Sequence, residues 1–292
     1  MSLSFCKLEG CGNHFVVTHD TNDLRLELKE LAPPLLDPNY GIGGDGLMVI
    51  APCKKADFEV QMYNPDGSAM GMCGNGVRCV VRYLYLHNLL APESDSVTLA
   101  VEGRTVQCFS KDQGRQVRAE LGEVSFDPAV IPINSKNELI DSATYFEAVS
   151  STFKVTALSI GNPHAVIFSE SIDQIDLDHL GPAIENDPLF PARTNVEFVE
   201  VVSRERLKVR VWERGAGATL ACGSGACASL AAAARNGLAG DNALVELPGG
   251  ALEIEWNRKL NRVYLTGPAR EVYQGQLCAG VIERMRDYAT RS

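Results

Sequence analysis

Two related stretches stand out in the sequence: Cys73-Gly74-Asn75-Gly76-Val77-Arg78-Cys79 and Cys222-Gly223-Ser224-Gly225-Ala226-Cys227-Ala228. The second begins 149 residues after the first, and the same interval relates Gly12-Asn13-His14-Phe15 to Gly161-Asn162-Pro163-His164. Self-similarity at a fixed interval is typical of duplicated structural units. Because 149 is close to half of the 292 residues, the sequence predicts two homologous halves of similar fold.

The two halves share a pattern of short strands and one central helix. Runs that are β-branched or alternate in polarity, bounded by Gly, Pro or Asp, predict strands. They lie at 15–18, 46–51, 58–64, 96–101, 104–110 and 116–122, and then at 153–160, 165–168, 195–203, 206–213, 242–247, 251–256 and 262–267. A helical pattern follows each cysteine stretch, at 77–88 and at 226–236. We predict an α+β fold of two homologous, pseudo-twofold-related domains, each a curved, mostly antiparallel β-sheet wrapped around a central helix.

Composition and charge favour a protein that acts on small molecules. The chain has 27 Lys plus Arg against 37 Asp plus Glu and no basic cluster, which argues against nucleic acid or an anionic membrane as the main partner. No run approaches the roughly 18 apolar residues of a membrane helix. Residues 1–10 lack the features of a signal peptide, so a cytoplasmic location is expected. Nine cysteines without a C-x2-C pair predict reduced thiols and no metal site.

A cysteine directly before a helix is suited to acid–base chemistry. The first turn of a helix presents unpaired N–H groups and the positive end of its dipole, which bind anions and are expected to lower the pKa of a cysteine there. One such cysteine alone is explained as a small buried residue beside structural glycines. Two equivalent cysteines, Cys73 and Cys222, instead favour a racemase or epimerase, in which one group removes a proton and another delivers a proton to the opposite face. No motif for pyridoxal phosphate is present, and no cofactor is expected.

Several polar residues near glycines are candidate binding groups. Four asparagines lie beside Gly, Pro or Thr, where a turn-forming role would explain each one taken alone: Asn13, Asn64, Asn162 and Asn195. Glu213-Arg214 is either an exposed ion pair or a substrate clamp, in which Arg214 holds a carboxylate and Glu213 an ammonium group. We interpret His164 as a residue that orients its loop, with an acid–base role as the alternative. The glycine-rich stretch 41–46 lacks the Gly-Lys-Ser/Thr ending of a phosphate loop.

The ordered motifs of this chain resemble those of the diaminopimelate epimerase family over nearly its whole length. The motifs are Gly10-Cys11-Gly12-Asn13-His14-Phe15-Val16-Val17, Gly41-Ile42-Gly43-Gly44-Asp45-Gly46, Tyr63-Asn64-Pro65-Asp66-Gly67-Ser68, the stretch at 72–79, Gly161-Asn162-Pro163-His164, and Glu213-Arg214-Gly215-Ala216-Gly217 running into the stretch at 221–227. A lone Cys-Gly-x-Gly would not be specific for this family. Several motifs in the same order along the chain are specific for it.

The resemblance implies pyridoxal-phosphate-independent interconversion of LL- and meso-2,6-diaminopimelate, in lysine and peptidoglycan biosynthesis. It implies that Cys73 and Cys222 are the two acid–base residues, one thiolate and one thiol in each turnover. Helix-start N–H groups for the carboxylate on the reacting carbon would come from Gly74, Asn75, Gly223 and Ser224. The distal amino-acid end would be held by Asn13, Asn64, Asn162, Asn195, Glu213 and Arg214.

The domain organisation follows from the connector and from the resemblance. The proline- and turn-rich stretch 127–136 predicts a boundary there. We therefore expect an N-terminal domain at 1–128, which carries Cys73, and a C-terminal domain at 129–272, which carries Cys222. By resemblance, 273–292 returns to complete the first domain, the active site lies in the cleft between the domains, and the protein is a homodimer.

Two positions depart from the family pattern. His14 stands where the family usually has Asp, and Leu220 lies in a stretch that often reads Glu-Thr-Gln. Neither change affects the cysteines or Glu213-Arg214. The alternatives are a racemase of another amino acid on the same fold and a non-catalytic amino-acid-binding protein. The first would leave the distal polar groups unpaired, and the second would be expected to have lost a cysteine.

Overall fold

The computed structural model describes residues 2–19 and 25–289. Its elements begin with β1 (Leu3–Gly10), β2 (Asn13–His19), α1 (Arg25–Leu36), β3 (Gly46–Pro52), β4 (Phe58–Tyr63), α2 (Gly74–Leu86), β5 (Ser96–Val101), β6 (Arg104–Lys111) and β7 (Gln116–Gly122). They continue with β8 (Ser142–Phe146), β9 (Ser151–Ser159), β10 (Pro163–Phe168), α3 (Leu177–Glu185), β11 (Asn195–Ser203), β12 (Arg206–Glu213), β13 (Gly217–Thr219), α4 (Gly223–Arg235), β14 (Asn242–Leu247), β15 (Gly250–Asn257), β16 (Arg262–Pro268), β17 (Arg270–Leu277) and α5 (Ala279–Ala289).

The chain forms two compact units. One comprises residues up to Ala119 together with those from Gly267 onward, and the other comprises Glu120–Thr266. In the first unit the strands follow the order β17, β1, β2, β3, β4, β5, β6, β7. The pairs β2–β3 and β4–β5 are parallel and the others are antiparallel.

The second unit repeats this pattern. Its strands follow the order β8, β9, β10, β11, β12, β14, β15, β16, with β10–β11 and β12–β14 parallel and the other neighbours antiparallel. The short strand β13 adds to β12. Parallel and antiparallel pairs follow one another in the same order in both units, as the sequence repeat at an interval of 149 residues predicts.

One helix lies at the centre of each unit. All of α2 is buried except Arg82 and Leu86, and all of α4 is buried except Ser224 and Arg235. In α2 the buried face contacts β1, β2 and β3, and α4 contacts the strands from β9 to β15 in the same manner. A helix that is apolar on nearly all sides is stable only when it is surrounded by protein.

The remaining helices cover the outer faces of the sheets. In the first unit α1 and α5 contact each other, and residues such as Leu28, Leu35 and Ile282 form one apolar cluster with Leu47 of β3. In the second unit α3 contacts β12 and β13. The mostly antiparallel sheets and central helices agree with the α+β prediction.

The predicted strands are all present, with ends that differ by at most two residues from the observed ones. The two central helices begin three residues earlier than predicted, at Gly74 and Gly223 instead of 77 and 226. The two cysteines are therefore the residues that directly precede each helix. Seven elements were not predicted: β1, α1, β8, α3, β13, β17 and α5.

Candidate active site

Cys73 and Cys222 are the N-cap residues of α2 and α4 and have nearly the same geometry. Cys73 has φ −114° and ψ 107°, and its Sγ accepts a hydrogen bond from the Gly76 N–H at 3.4 Å. Cys222 has φ −116° and ψ 113°, and its Sγ accepts from the Gly225 N–H, also at 3.4 Å. Each sulfur thus lies at the positive end of a helix dipole.

Close packing explains the glycine three residues after each cysteine. A Cβ on Gly76 would lie 2.5 Å from Cε of Met48, and a Cβ on Gly225 would lie 2.9 Å from Oε1 of Glu197. Both distances are shorter than van der Waals contact. A side chain at either position would therefore require Met48 or Glu197 to move away from the start of the helix.

The two sulfurs have different surroundings. Cys73 is half-buried, whereas Cys222 is only 5% exposed. Burial raises the pKa of the Cys222 thiol well above its usual range, and the charges of Glu213 and Glu197 raise it further. Hydrogen bonds from Ser224 and the Gly225 N–H lower this pKa, but by less. The expectation that the helix start lowers the pKa is therefore wrong for Cys222, because burial and the two carboxylates outweigh the hydrogen bonds from Ser224 and Gly225.

The first unit brings Asn13 and Asn75 together beside Cys73. Nδ2 of Asn75 donates to Oδ1 of Asn13 at 3.3 Å, and Nδ2 of Asn13 donates to Oδ2 of Asp45 at 2.7 Å. The same Asp45 oxygen accepts from the His14 N–H at 2.7 Å. Asp45 lies directly before β3, so the stretch 41–46 is followed by a strand and not by the helix of a phosphate loop.

Arg78, to which the sequence assigned no role, is completely buried under the start of α2. Its guanidinium donates to Oδ1 of Asn75 at 2.9 Å, to the Gly74 carbonyl at 3.3 Å and to the Pro268 carbonyl at 3.1 Å. These bonds fix the amide oxygen of Asn75. They also connect the helix start to the segment that returns at the end of the chain.

Asn64 closes the turn after β4. Its Nδ2 donates to Oγ of Ser68 at 2.9 Å, and its carbonyl accepts from the Gly67 N–H at 2.9 Å. Gly67 has φ 81°, a conformation that favours glycine. The turn-forming interpretation accounts for these contacts of Asn64.

In the second unit a chain of hydrogen bonds leads from buried residues to Cys222. Nε2 of His164 lies 2.9 Å from Oδ1 of Asn162, and Nδ2 of Asn162 donates to Oγ of Ser224 at 3.4 Å. Oγ of Ser224 is 3.6 Å from Sγ of Cys222. Nδ1 of His164 lies 2.7 Å from Oε1 of Glu197, and both side chains are completely buried. The geometry agrees with a positioning role for His164.

Asn195 supports the loop after β12. Its Nδ2 donates to the Pro163 carbonyl at 2.9 Å, and its Oδ1 accepts from the Arg214 N–H at 2.9 Å. Glu185 holds the same loop, because its carboxylate accepts from the Trp212 indole at 2.7 Å and from the Gly215 N–H at 2.9 Å. No sequence motif marks Glu185, which ends the unpredicted helix α3 and lies 27 and 30 positions from its partners Trp212 and Gly215.

Glu213 and Arg214 each have a partner other than the neighbouring side chain. The Thr219 hydroxyl donates to Glu213, and Nη1 of Arg214 donates to the Ala192 carbonyl at 3.1 Å. Within residues 2–19 and 25–289, no ion pair joins these two side chains, so the exposed-pair interpretation is wrong. Arg214 is exposed and retains further donors for an anion.

The start of α4 also presents unused donors. In the described residues, no acceptor bonds the backbone N–H of Gly223 or of Ser224. First-turn N–H groups at the positive end of a helix form a binding site for a carboxylate or another anion. Gly74 and Asn75 occupy the equivalent positions in the first turn of α2.

His14 and Leu220, the two residues that depart from the family pattern, are near Asn13 and Cys222 in the sequence. The backbone of His14 is held by Asp45, while Nδ1 of its ring is buried and has no hydrogen-bond partner. Leu220 is 55% exposed and lies between β13 and Cys222. Neither side chain contributes to the hydrogen bonds described above.

The described part of the chain has neither a cluster of metal ligands nor a membrane-spanning helix. It contains no group of three or more His, Cys, Asp or Glu side chains arranged to hold a metal ion. None of its helices is both long and apolar enough to cross a membrane.

Comparison with known proteins places this arrangement in a family. A sequence profile of the diaminopimelate epimerase family matches residues 5–126 and 156–272. The chain is 41% identical over 276 residues to a diaminopimelate epimerase of Acetivibrio thermocellus, with 94% of this chain and 98% of the relative covered. It is 42% identical over 282 residues to one of Desulfovibrio desulfuricans, with the same coverage of 94% and 98%.

More distant solved structures share the fold. A Bacillus anthracis protein of the PhzF phenazine-biosynthesis family has a TM-score of 0.70 at 14% identity, with 95% of this chain and 99% of that chain covered. A probable proline racemase of Agrobacterium radiobacter has a TM-score of 0.70 at 16% identity, with 98% and 95% covered. The family match and the full-length relatives define an isomerase. The chain belongs to the diaminopimelate epimerase family, and the predicted fold class, family and enzyme class are confirmed.

Proposed function

We propose that this protein interconverts LL- and meso-2,6-diaminopimelate, without pyridoxal phosphate, by acid–base catalysis with Cys73 and Cys222. The observation that carries the proposal is the pair of matching N-caps, one cysteine at the start of each central helix. A duplicated fold that keeps the same nucleophilic residue at both equivalent positions is suited to a reaction that needs one base and one acid.

One thiolate and one thiol, on opposite faces of the α-carbon, are enough to balance the reaction. A thiolate takes the α-proton and becomes a thiol, and the electron pair left on the carbon is delocalised into the α-carboxylate. The second thiol then gives its proton to the opposite face of the carbon and becomes a thiolate. The substrate is inverted, nothing is oxidised or reduced, and the two cysteines have exchanged protonation states.

The helix starts supply the stabilisation that this proton removal needs. The N–H groups of Gly74 and Asn75, and those of Gly223 and Ser224, are the proposed partners of the α-carboxylate. Charge develops on this carboxylate as the α-proton leaves, and donors that are already oriented stabilise it without reorganisation.

We propose that a second set of polar groups holds the distal amino-acid end, which is not inverted. These groups are Asn13, Asn64, Asn162, Asn195, Glu213 and Arg214. Arg214 can bind the distal carboxylate through two parallel N–H donors, and Glu213 can bind the distal ammonium group. The absence of an ion pair between these two side chains in the described residues supports this assignment, because both charges remain available.

The direct test is an assay of the purified, reduced protein without pyridoxal phosphate. The panel is LL-diaminopimelate, meso-diaminopimelate, proline, histidine, glutamate and lysine, with products separated by chiral chromatography. We expect interconversion of the two diaminopimelates only. Racemisation of another amino acid would overturn the substrate assignment, and binding without turnover of any of them would overturn the catalytic proposal.

Glu213 and Arg214 should determine affinity for the distal end. Glu213→Gln and Arg214→Lys are each expected to lower kcat/KM for LL-diaminopimelate about 10- to 100-fold, the effect of losing a hydrogen bond to a charged group. The matched control is Arg206→Lys on the same strand, where an exposed pair with Glu246 lies at 2.8 Å. Equal activity in all three variants would contradict the assignment.

The two catalytic thiols should differ in reactivity toward iodoacetamide. At pH 7.5 we expect Cys73 to be alkylated before Cys222, because Cys222 is buried and its pKa is raised. The rate at Cys222 should still rise above pH 9, as the thiolate fraction increases. Peptide mapping by mass spectrometry measures both rates, with exposed Cys278 as the internal reference. Alkylation of Cys222 at pH 7.5 as fast as Cys73 would contradict this expectation.

We also propose that the protein works in the cytoplasm as a homodimer, in lysine and peptidoglycan biosynthesis. Support comes from membership of the family and from the lack of a membrane-spanning helix in the described residues. Light scattering coupled to size-exclusion chromatography tests the dimer, and a mass of one chain, 31.6 kDa, would contradict it.

A further inference from the structure

Glu197 is a buried acid whose presence the fold does not explain. It lies on β11 and is completely buried, and one of its oxygens, Oε2, has no hydrogen-bond partner. Its other oxygen, Oε1, lies 2.7 Å from Nδ1 of His164 on the neighbouring strand β10. Burying an acid with an unpaired oxygen is unfavourable unless the group has a specific role.

The first unit has apolar residues at the two equivalent positions. The positions 149 residues earlier are Phe15, equivalent to His164, and Met48, equivalent to Glu197, and both are completely buried. Met48 lies against Gly76 just as Glu197 lies against Gly225. Since an apolar pair satisfies the fold in one unit, the His–Glu pair of the other unit has a different purpose.

Hydrogen-bond directions show what that purpose is. The Asn162 amide donates to Ser224, so its oxygen faces His164 and accepts from Nε2, which must carry a proton. Oγ of Ser224 lies 3.6 Å from Sγ of Cys222, and either group can donate while the cysteine is a thiol. A thiolate can only accept, so when Cys222 is ionised the Ser224 O–H donates to it and every donor in this series points toward the sulfur, an order that favours the thiolate.

Two proton arrangements of the Glu197–His164 pair keep a proton on Nε2. If Glu197 is ionised, it accepts from Nδ1 of a doubly protonated His164. If Glu197 is protonated, it donates to Nδ1 of a neutral His164. Nε2 carries a proton in both cases, and the pair has no net charge. The third arrangement, an ionised Glu197 beside a neutral His164, would place the proton on Nδ1, and burial of the carboxylate disfavours it. Without Glu197, a neutral imidazole can carry its proton on Nδ1 instead, and the chain toward Cys222 is then reversed.

We propose that Glu197 is a positioning residue for the second half of the active site: it holds His164 in the Nε2–H form and so directs the hydrogen bonds of Asn162 and Ser224 toward Cys222. The first unit has Phe15 and Met48 in place of the His–Glu pair, so the surroundings of the two cysteines are not equivalent. This inference rests on the proposed function for its effect on turnover, but the state of the imidazole can be measured independently.

Few titratable groups face the series of hydrogen bonds from Glu197 to Cys222. Glu213 on β12 and Glu197 on β11 both raise the pKa of Cys222, and Glu213 also raises that of Glu197. Burial is the largest cause of the raised pKa of Glu197, and His164 opposes it. Replacing Glu197 with an uncharged residue removes a carboxyl group near Cys222 as well as the hydrogen bond to Nδ1 of His164, so kcat and the state of the imidazole are measured together.

Two variants of Glu197 separate this role from simple packing. Glu197→Gln keeps an N–H donor for Nδ1, whereas Glu197→Met installs the side chain that the first unit uses. We expect Glu197→Met to fold, with a melting temperature close to that of the unaltered protein, but to lose kcat about 10- to 100-fold, as when the partner that orients an imidazole is removed. Glu197→Gln should recover most of this loss.

The state of the imidazole is read directly by 15N NMR, with His164→Gln to assign its signals among the five histidines. The expected result is a protonated Nε2 in the unaltered protein and in Glu197→Gln, and a mixture of tautomers in Glu197→Met. An unchanged kcat and tautomer in Glu197→Met would overturn the proposal, as would equal losses of kcat in both folded variants. If the unaltered protein does not epimerise diaminopimelate, the proposed function fails, while the NMR result still tests Glu197.

Discussion

Replacement of either Cys73 or Cys222 by alanine is expected to lower kcat for diaminopimelate by about a thousandfold or more. In the proposed mechanism each thiol supplies one of two obligatory proton transfers, and a positioned acid or base contributes about 10²- to 10⁴-fold. In the described residues, no other acid–base side chain caps either helix. The loss should therefore be similar for the two cysteines, although their surroundings differ.

The N-cap role of these cysteines calls for a second pair of variants. Alanine removes the acceptor for Gly76 or Gly225 and costs about 1 kcal/mol of helix stability. Cys73→Ser and Cys222→Ser keep an oxygen acceptor, but a hydroxyl ionises far less readily than a thiol, so these variants should also be nearly inactive. Cys278→Ala, an exposed cysteine, is the control and should keep full activity. More than a tenth of the normal kcat in a folded Ser variant would contradict the two-thiol mechanism.

Replacement of Arg78 by methionine is expected to lower the free energy of unfolding of the first unit by about 3 kcal/mol, because it leaves several buried acceptors without a donor. These acceptors are Oδ1 of Asn75 and the carbonyls of Gly74 and Pro268. Methionine fills much of the volume, so the loss reflects mainly hydrogen bonding. The second unit has Cys227 at the equivalent position and does not depend on an arginine there.

Urea unfolding followed by circular dichroism measures this effect. Arg82→Met on the same helix is the matched control, since Arg82 is only half-buried and its guanidinium donates to a single carbonyl, that of Gln113. We expect the control to change the free energy by about 1 kcal/mol or less. A similar change in the two variants would show that the buried guanidinium does not hold the helix start in place.

Most strands could be predicted from the sequence because the alternation of buried and exposed residues is a local pattern. Alternation in β5 and β7, for example, places every second residue inside, and the predicted ends of both strands match the observed ones. Two helices were not predicted because they contain prolines: α1 contains Pro33 and Pro34, and α3 contains Pro182 after Gly181. In both, packing against the sheet outweighs the low helix propensity of these residues.

Pairings between distant parts of the chain could not be predicted. β17 pairs with β1, which joins residues more than 260 positions apart, and most of β17 is exposed, so it lacks the alternation of a half-buried strand. The position of the returning segment came from the family resemblance, because nothing in its own sequence indicates a partner.

The cysteines were accessible from the sequence, but the groups around Cys222 were not. A helix that starts after a Cys-Gly-x-Gly stretch is a local feature, so the N-cap positions follow from it directly. Glu197 lies in a strand whose first five residues are all buried, so alternation does not mark it. Its signal is the comparison between halves, in which a charged residue replaces Met48. The raised pKa of Cys222 depends on carboxylates that only the folded chain brings near it.

The most direct test of the two-thiol mechanism is deuterium incorporation at the α-carbon during the first turnovers of LL-diaminopimelate in D2O, followed by mass spectrometry and NMR. We predict one solvent deuterium at the inverted carbon of the meso product and little in the recovered LL substrate, because a different group delivers the proton to the opposite face. Cys73→Ala and Cys222→Ala should both abolish formation of this product. Equal deuterium in recovered substrate and product would indicate a single base, and a product without deuterium would exclude proton exchange through the thiols; either result would contradict the mechanism.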